Sequence, residues 1–586
     1  MFPKFLIDYF FKSPSIAMAI IDEVPSRPLV PLQWELARQT EIFLEDGLFP
    51  QAYSLLANVL ASGTISGSKI VIPQPQHLAV AATMLVHPRT TTRAESGYEK
   101  EAANSALRVL RLANSLVGPM DGKFNIAFEF KHFEMSRQGR RRLDSPTLAE
   151  PVDPDKKPLN TRYSQSSSLW TRAEDFWHAV GWAFNCSVLH PARWERWQVW
   201  LQYMCNVLED DWKEREKIYL ELKQKRKATE EILETPVPQD DDPPPRIGKG
   251  RKPKVQIDED LWVFRESLIF GYIVSNTTPG RDRRIMRAIF ANGKSSLGEF
   301  KEVFNDELRI PVPDQDSHNT KKRAGGVNLE KDEYGDYLDN SEEEFETGAS
   351  TSSVSPSAKG IKGNLPRRTK RTRRGTRNAM GDASEPVKVS EAGQTPSHDD
   401  SGLSSFGGYT SLALRQQLLS ILSSVSVRLP REFTPLDDLY HTFVENIRDL
   451  PLPIFQHFVT PSNLPHFLPE AHSTLCELLL YVMRESSAPS SNNDYLTQVK
   501  LEKCFLPYAG ATPSVINNAK ISILLEALMT LLHRSKLLYV TNSLKTAVQA
   551  GIARREKSCR DRDSVEWIYL HESGLRMQFM VDYILP

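Results

Sequence analysis

Seven basic residues fall within eleven positions: Arg367, Arg368, Lys370, Arg371, Arg373, Arg374 and Arg377. Cations spaced this closely suit two kinds of recognition. An import receptor reads an exposed basic run in extended form, and nucleic-acid phosphates attract the same charges. A merely solvated run is the plain alternative. An acidic block, including Glu342, Glu343, Glu344 and Glu346, precedes the run. Folded over it electrostatically, that block would weaken non-specific binding at low salt.

A second basic stretch reads Gly248-Lys-Gly-Arg-Lys-Pro-Lys254. It resembles a loose AT-hook, a minor-groove element built on Gly-Arg-Pro, with Lys252 standing between Arg251 and Pro253. Lys249, Arg251, Lys252 and Lys254 are therefore candidate nucleic-acid contacts, or linker charge, or a second import signal. Phosphate chemistry has candidates too. Ser341 is followed by three glutamates, which suits an acid-directed kinase. Ser145, Ser355 and Thr395 each precede proline, which suits proline-directed kinases. Phosphate there would add negative charge within reach of the arginines.

For catalysis the motifs are missing. The chain has no Gly-rich phosphate loop ending in Lys-Ser/Thr, no His-Glu-x-x-His and no Gly-x-Ser-x-Gly. His441, His457, His466 and His472 lie near Asp437 and Asp438, at spacings that match no single ligand face. Five cysteines, at 186, 205, 476, 504 and 559, form no two-residue-spaced pair. That sparse, odd count points to small buried hydrophobes in a reducing compartment. No cofactor and no metal are expected. A dispersed active site stays open, because catalytic groups need not be close in sequence.

The elements that would position these groups divide at a polar tract. The chain has 586 residues, 40% hydrophobic, with a net charge of −1 that conceals local segregation. Residues 313–408 are acidic, then Ser-rich, then basic, and hold too few apolar side chains to offset the entropy of ordering them. The expectation is an all-α fold. A helical module over 1–312 carries a Pro- and charge-rich insertion at about 236–257. A disordered linker over 313–408 follows, then a second helical module over 409–586. Each module reads as an irregular helical array or α-solenoid.

Helical spacing places elements at about 32–44, 51–60, 76–86, 99–117 and 191–234, then at 258–275 and 281–290. Beyond the tract it places them at 414–425, 434–447, 475–483, 521–532 and 545–557. Thr434 reads as a capping hydroxyl and Pro435 as a first-turn residue. The one strand signal is 68–73. Residues 43–53 resemble a tetratricopeptide turn, but the pattern does not recur at a fixed period. Seven tryptophans lie between 170 and 212. They could stack bases or grip a partner helix, yet the three-and-four spacing of Trp194, Trp197, Leu201 and Met204 favours a buried seam. Residues 1–12 contain Lys4, Asp8 and Lys12 and make a poor signal peptide. No run of about 18 apolar residues occurs, so no membrane span is expected.

Together these observations lead to an expected nuclear, non-enzymatic scaffold or adaptor. It would belong to a multiprotein complex acting on chromosomes, with protein subunits and an import receptor as partners. The alternatives are a direct DNA- or RNA-binding protein, a ribosome-assembly factor, or an unrecognised enzyme.

Overall fold

The computed structural model describes residues 27–65, 68–130, 159–233, 259–275, 280–294, 298–305, 307–308, 400–463, 467–491 and 495–584. The chain separates into two units: Met1–Ile310 with Pro396–Pro586, and Pro311–Thr395. The second unit lies outside the described residues.

The described residues are mostly helical, as composition and spacing predict. Two short strands, β1 (Leu29–Pro31) and β2 (Ile70–Ile72), pair in parallel with Leu29 opposite Ile70. They bracket α1 (Trp34–Glu45) and α2 (Phe49–Ser62). Between these helices Gly47, at φ +80°, makes the turn that a Cβ would strain. α3 (Pro75–Val86) starts on proline, whose missing N–H costs nothing at that position. α4 (Gly97–Leu116) starts at Ser96, whose hydroxyl accepts from Glu99 N at 3.3 Å. α4 packs on both α2 and α3.

α5 (Phe176–Leu189) begins at Asp175, whose carboxylate accepts from His178 N at 2.7 Å. α6 (Pro191–Leu233) has 43 residues, roughly 65 Å at 1.5 Å per residue. Its first part packs on α3 and α5, while Lys223, Lys225, Arg226 and Lys227 near its end are exposed. The single helix expected over 258–275 is broken. Ser267 accepts from Phe270 N and the Asp211 carboxylate accepts from Leu268 N at 2.9 Å, so a new helix, α7 (Leu268–Val274), starts there. α8 (Arg281–Ile289) then returns onto α5.

Past residue 399 the chain resumes earlier than composition suggests. A short helix at Asp400–Ser404 and buried Leu403 and Phe406 already belong to the core. The polar Ser and Gly around them conceal these two plugs. α9 (Gly408–Arg428), α10 (Leu436–Arg448), α11 (Leu452–Val459) and α12 (Pro469–Met483) follow. Thr434 does not cap α10. Its hydroxyl instead donates to Asp282 at the start of α8, at 2.6 Å.

α13 (Val515–Arg534) is apolar and long enough to cross a membrane, but most of it is buried against α11, α12 and the last helix. α14 (Asn542–Ser558) is capped by Thr541, which accepts from Leu544 N at 3.0 Å. Its Gly551 passes so close to the Leu506 carbonyl that a Cβ would sit 1.8 Å from that oxygen. α15 (Val565–Phe579) ends in a wider turn over Met580–Ile584.

The two segments expected to form separate modules share one core. α9 packs on α6, and α10 packs on α8. Phe290 and Phe458 meet with ring centres 6.1 Å apart, and Arg265 pairs with Glu432 at 2.7 Å. A long-range closure of this kind leaves no periodic signature in either segment, so local spacing alone does not report it.

Candidate docking surface

The residues singled out for binding and modification all lie outside the described residues. These are the run Arg367, Arg368, Lys370, Arg371, Arg373, Arg374 and Arg377, the stretch Lys249, Arg251, Lys252 and Lys254, and Ser145, Ser341, Ser355 and Thr395.

Within the described residues the aromatic block is core. Trp170, Trp177, Trp182, Trp194, Trp197, Trp200 and Trp212 are all buried. Trp197 donates its indole N–H to Glu307 at 2.7 Å. The same carboxylate receives Arg193, whose guanidinium also reaches Thr91 at 2.9 Å and the Val86 carbonyl. Glu307 thus ties the end of the N-terminal segment to α6, through a buried, fully engaged ion pair whose arginine also reaches the turn after α3. The block offers no exposed platform for bases.

The titratable groups tell a similar story. Burial lowers the imidazole of His77 to about 4 and that of His472 to about 4. Burial, helped by Arg193, lowers His87 to about 3. All five cysteines are buried, and burial pushes the thiols of Cys186, Cys205 and Cys476 up. Such thiols are poor nucleophiles. His472 sits within the core and pairs its Nε2 with the Val459 carbonyl at 2.8 Å, while His441 is exposed and His466 lies outside the described residues. Among the described residues no three His, Cys, Asp or Glu side chains gather as a metal group.

Between α4 and α6 lies a polar groove of about 290 Å³, lined by Arg111, Asn114, Gln202, Tyr203 and Asn206. Its groups are partly engaged: Asn114 donates to Asp210 at 2.7 Å, and Gln417 of α9 reaches Asn206 at 3.4 Å.

The feature that stands apart is the outer face of α15. Its inner face, with Leu570, Ser573 and Met577 buried, packs on α13. Gly574 lets it approach Ile552 of α14, which would lie 3.3 Å from an added Cβ. The outer face carries Val565, Ile568, Leu575 and Phe579, each a little over half exposed, and then Tyr583 at 77%. The rings of Phe579 and Tyr583 lean together with centres 5.1 Å apart. Single exposed apolar residues are ordinary, but a row of them along one helix face, two on each side of Glu572, marks an interaction surface. Near the start of α14, Leu537 and Tyr539 are also exposed. Gln498 holds that turn by donating to the Tyr539 carbonyl at 2.8 Å.

Charge is arranged around the row. Glu572 lies on the same face, and Arg576 one turn on reaches it at 3.4 Å. Arg576 is gripped more closely by Glu526 of α13, at 2.7 and 3.1 Å. His571 faces Glu556 of α14 at 3.2 Å. Sequence reading missed this helix entirely, because its apolar residues fall on two opposite faces. No family model, curated protein or solved structure matches the chain.

Proposed function

We propose that the protein is a nuclear helical scaffold, a non-catalytic subunit of a multiprotein complex that acts on chromosomes. The observation that carries this reading is the apolar row on α15. The row leaves unburied the area that a partner helix would cover. The helical segments are read as irregular arrays of the α-solenoid kind. The linker over 313–399, on its composition, is read as an accessible tether. Its basic run at 367–377 would engage an import receptor, and Ser341, Ser355 and Thr395 would place phosphates beside it. Ser145 would do the same in the N-terminal segment.

Direct DNA or RNA binding through 249–254 and 367–377 is the competing reading. Affinity purification of the tagged full chain from nuclear extract separates the two. The scaffold reading expects stoichiometric protein subunits that persist after nuclease treatment and at raised salt. It also expects a cytoplasmic shift when Arg367, Arg368, Lys370, Arg371, Arg373 and Arg374 are changed to Ala. A monomer that binds bare nucleic acid in a salt-dependent way would favour the alternative.

A further inference from the structure

We propose that the α15 face takes one amphipathic helix of a different polypeptide, apolar along its seam and carrying a lysine or arginine opposite Glu572. This rests on the α15 face being the docking surface. Val565, Ile568, Glu572, Leu575 and Phe579 are spaced three, four, three and four residues apart. That is the spacing of a two-helix seam, and knobs from a second helix fill such a row. The row runs about 21 Å, so it matches roughly four turns of a partner helix.

Charge decides which helix fits. Glu572 stands midway, seven residues from Val565 and seven from Phe579. Its side chain is 56% exposed. The nearby Arg576 is held by both Glu526 and Glu572, so these three groups leave one net negative charge beside the seam. A second copy of the chain is a poor partner. Tyr583 lies beyond the helix, in the wider turn that follows it; along α15 itself, symmetric pairing in either direction sets Glu572 against its own copy, because it is the midpoint of the 565–579 stretch. A polar or charged residue at such a position selects its partner by what it repels as well as by what it attracts. A cation at the partner's central position completes the seam, with apolar residues on either side of it.

The test uses the full chain and two synthetic amphipathic helices of roughly three heptads. The helices are identical except for Lys or Glu at the central seam position. Fluorescence anisotropy should show the Lys peptide binding at least about tenfold tighter than the Glu peptide. Glu572→Lys should reverse that order, and Phe579→Asp should abolish binding of both while the chain stays folded. Leu575→Asp repeats the last arm should Phe579→Asp fold poorly. Equal binding of both peptides, or an unreversed order in Glu572→Lys, overturns the charge assignment and leaves the docking surface standing. Binding that survives both aspartates, or no binding at all, overturns the docking surface itself. Light scattering that shows a dimer lost in Phe579→Asp assigns the face to a second copy. Binding that appears only after removal of residues 1–26 assigns it to the chain's own segment. Either result overturns the proposal.

Discussion

The guanidinium of Arg415, from the segment beyond the linker, lies 4.0 Å from the ring centre of Phe184, from the segment before it. Phe406 closes the other side at 3.9 Å. Arg415 is fully buried, and burial lowers its pKa well below the ordinary arginine value. It donates to the Ile289 carbonyl, to the Ala291 carbonyl at 2.9 Å and to Ser411 at 3.2 Å. One cation therefore caps the last carbonyl of α8, and the Ala291 carbonyl just beyond it, from across the interface. Arg415→Met relieves the cost of burying charge. It also strands two carbonyls and loses two ring contacts, and these outweigh the relief. A loss of about 2–4 kcal/mol is expected in urea unfolding. A variant as stable as the wild type would show that the sandwich holds nothing.

Because both segments share a core, cutting the linker should not separate them. A protease site placed within Pro311–Thr395 should give two fragments that elute together and unfold in one transition. Elution as two independent folded fragments would contradict the shared core.

Trp197 anchors the N-terminal segment. It is fully buried, sits edge-on to Trp200 at 5.4 Å and donates to Glu307. Trp197→Ala should cost about 3–5 kcal/mol through the cavity alone, with more from the donor lost to Glu307. Circular dichroism melts of the variant test this, and an unchanged melting temperature would refute it.

His77 gives a pH signature. It is buried, its ring nitrogens have no hydrogen-bond partner, and its pKa is lowered from 6.5 to about 4. Between those values the unfolded chain binds a proton that the folded ring refuses, so stability falls as pH falls through that window. His472 and His87 act in the same direction. Glu214, raised by burial to about 7, acts in the opposite one. His77→Leu isolates a single group. Relative to wild type, the pH slope of stability between 6.5 and 4 should flatten by about 1.4 kcal/mol per pH unit. Parallel slopes would show that His77 does not titrate as its burial requires.

Sequence spacing located helices such as α4 and α10 because their apolar faces are one-sided. α6 begins at Pro191 as read, and its Trp197, Leu201 and Met204 are core. α15 escaped for the opposite reason. Its apolar residues point both ways: Leu570 and Met577 face inward, while Val565, Ile568, Leu575 and Phe579 face outward. With both faces apolar, no single stripe emerges. Thr434 was misread because the N-cap of α10 is Pro435, one residue later, which leaves the Thr434 hydroxyl out of register for the first-turn N–H groups and free to donate to Asp282. Leu403 and Phe406 were hidden as isolated apolar residues in a polar stretch. The basic runs were plain in the sequence, yet they belong to segments outside the described residues.

The α15 row is the centre of the functional account, and one comparison tests it most directly. The tagged full chain and its Phe579→Asp variant are purified from the same nuclear extract and sized by light scattering, with the subunits identified by mass spectrometry. Phe579 is about half exposed and ends α15, so the variant should lose about 1–2 kcal/mol of stability and stay folded. The account predicts a stable hetero-complex for the wild type, and a folded monomer for the variant. A variant that keeps every subunit in full amount would contradict it.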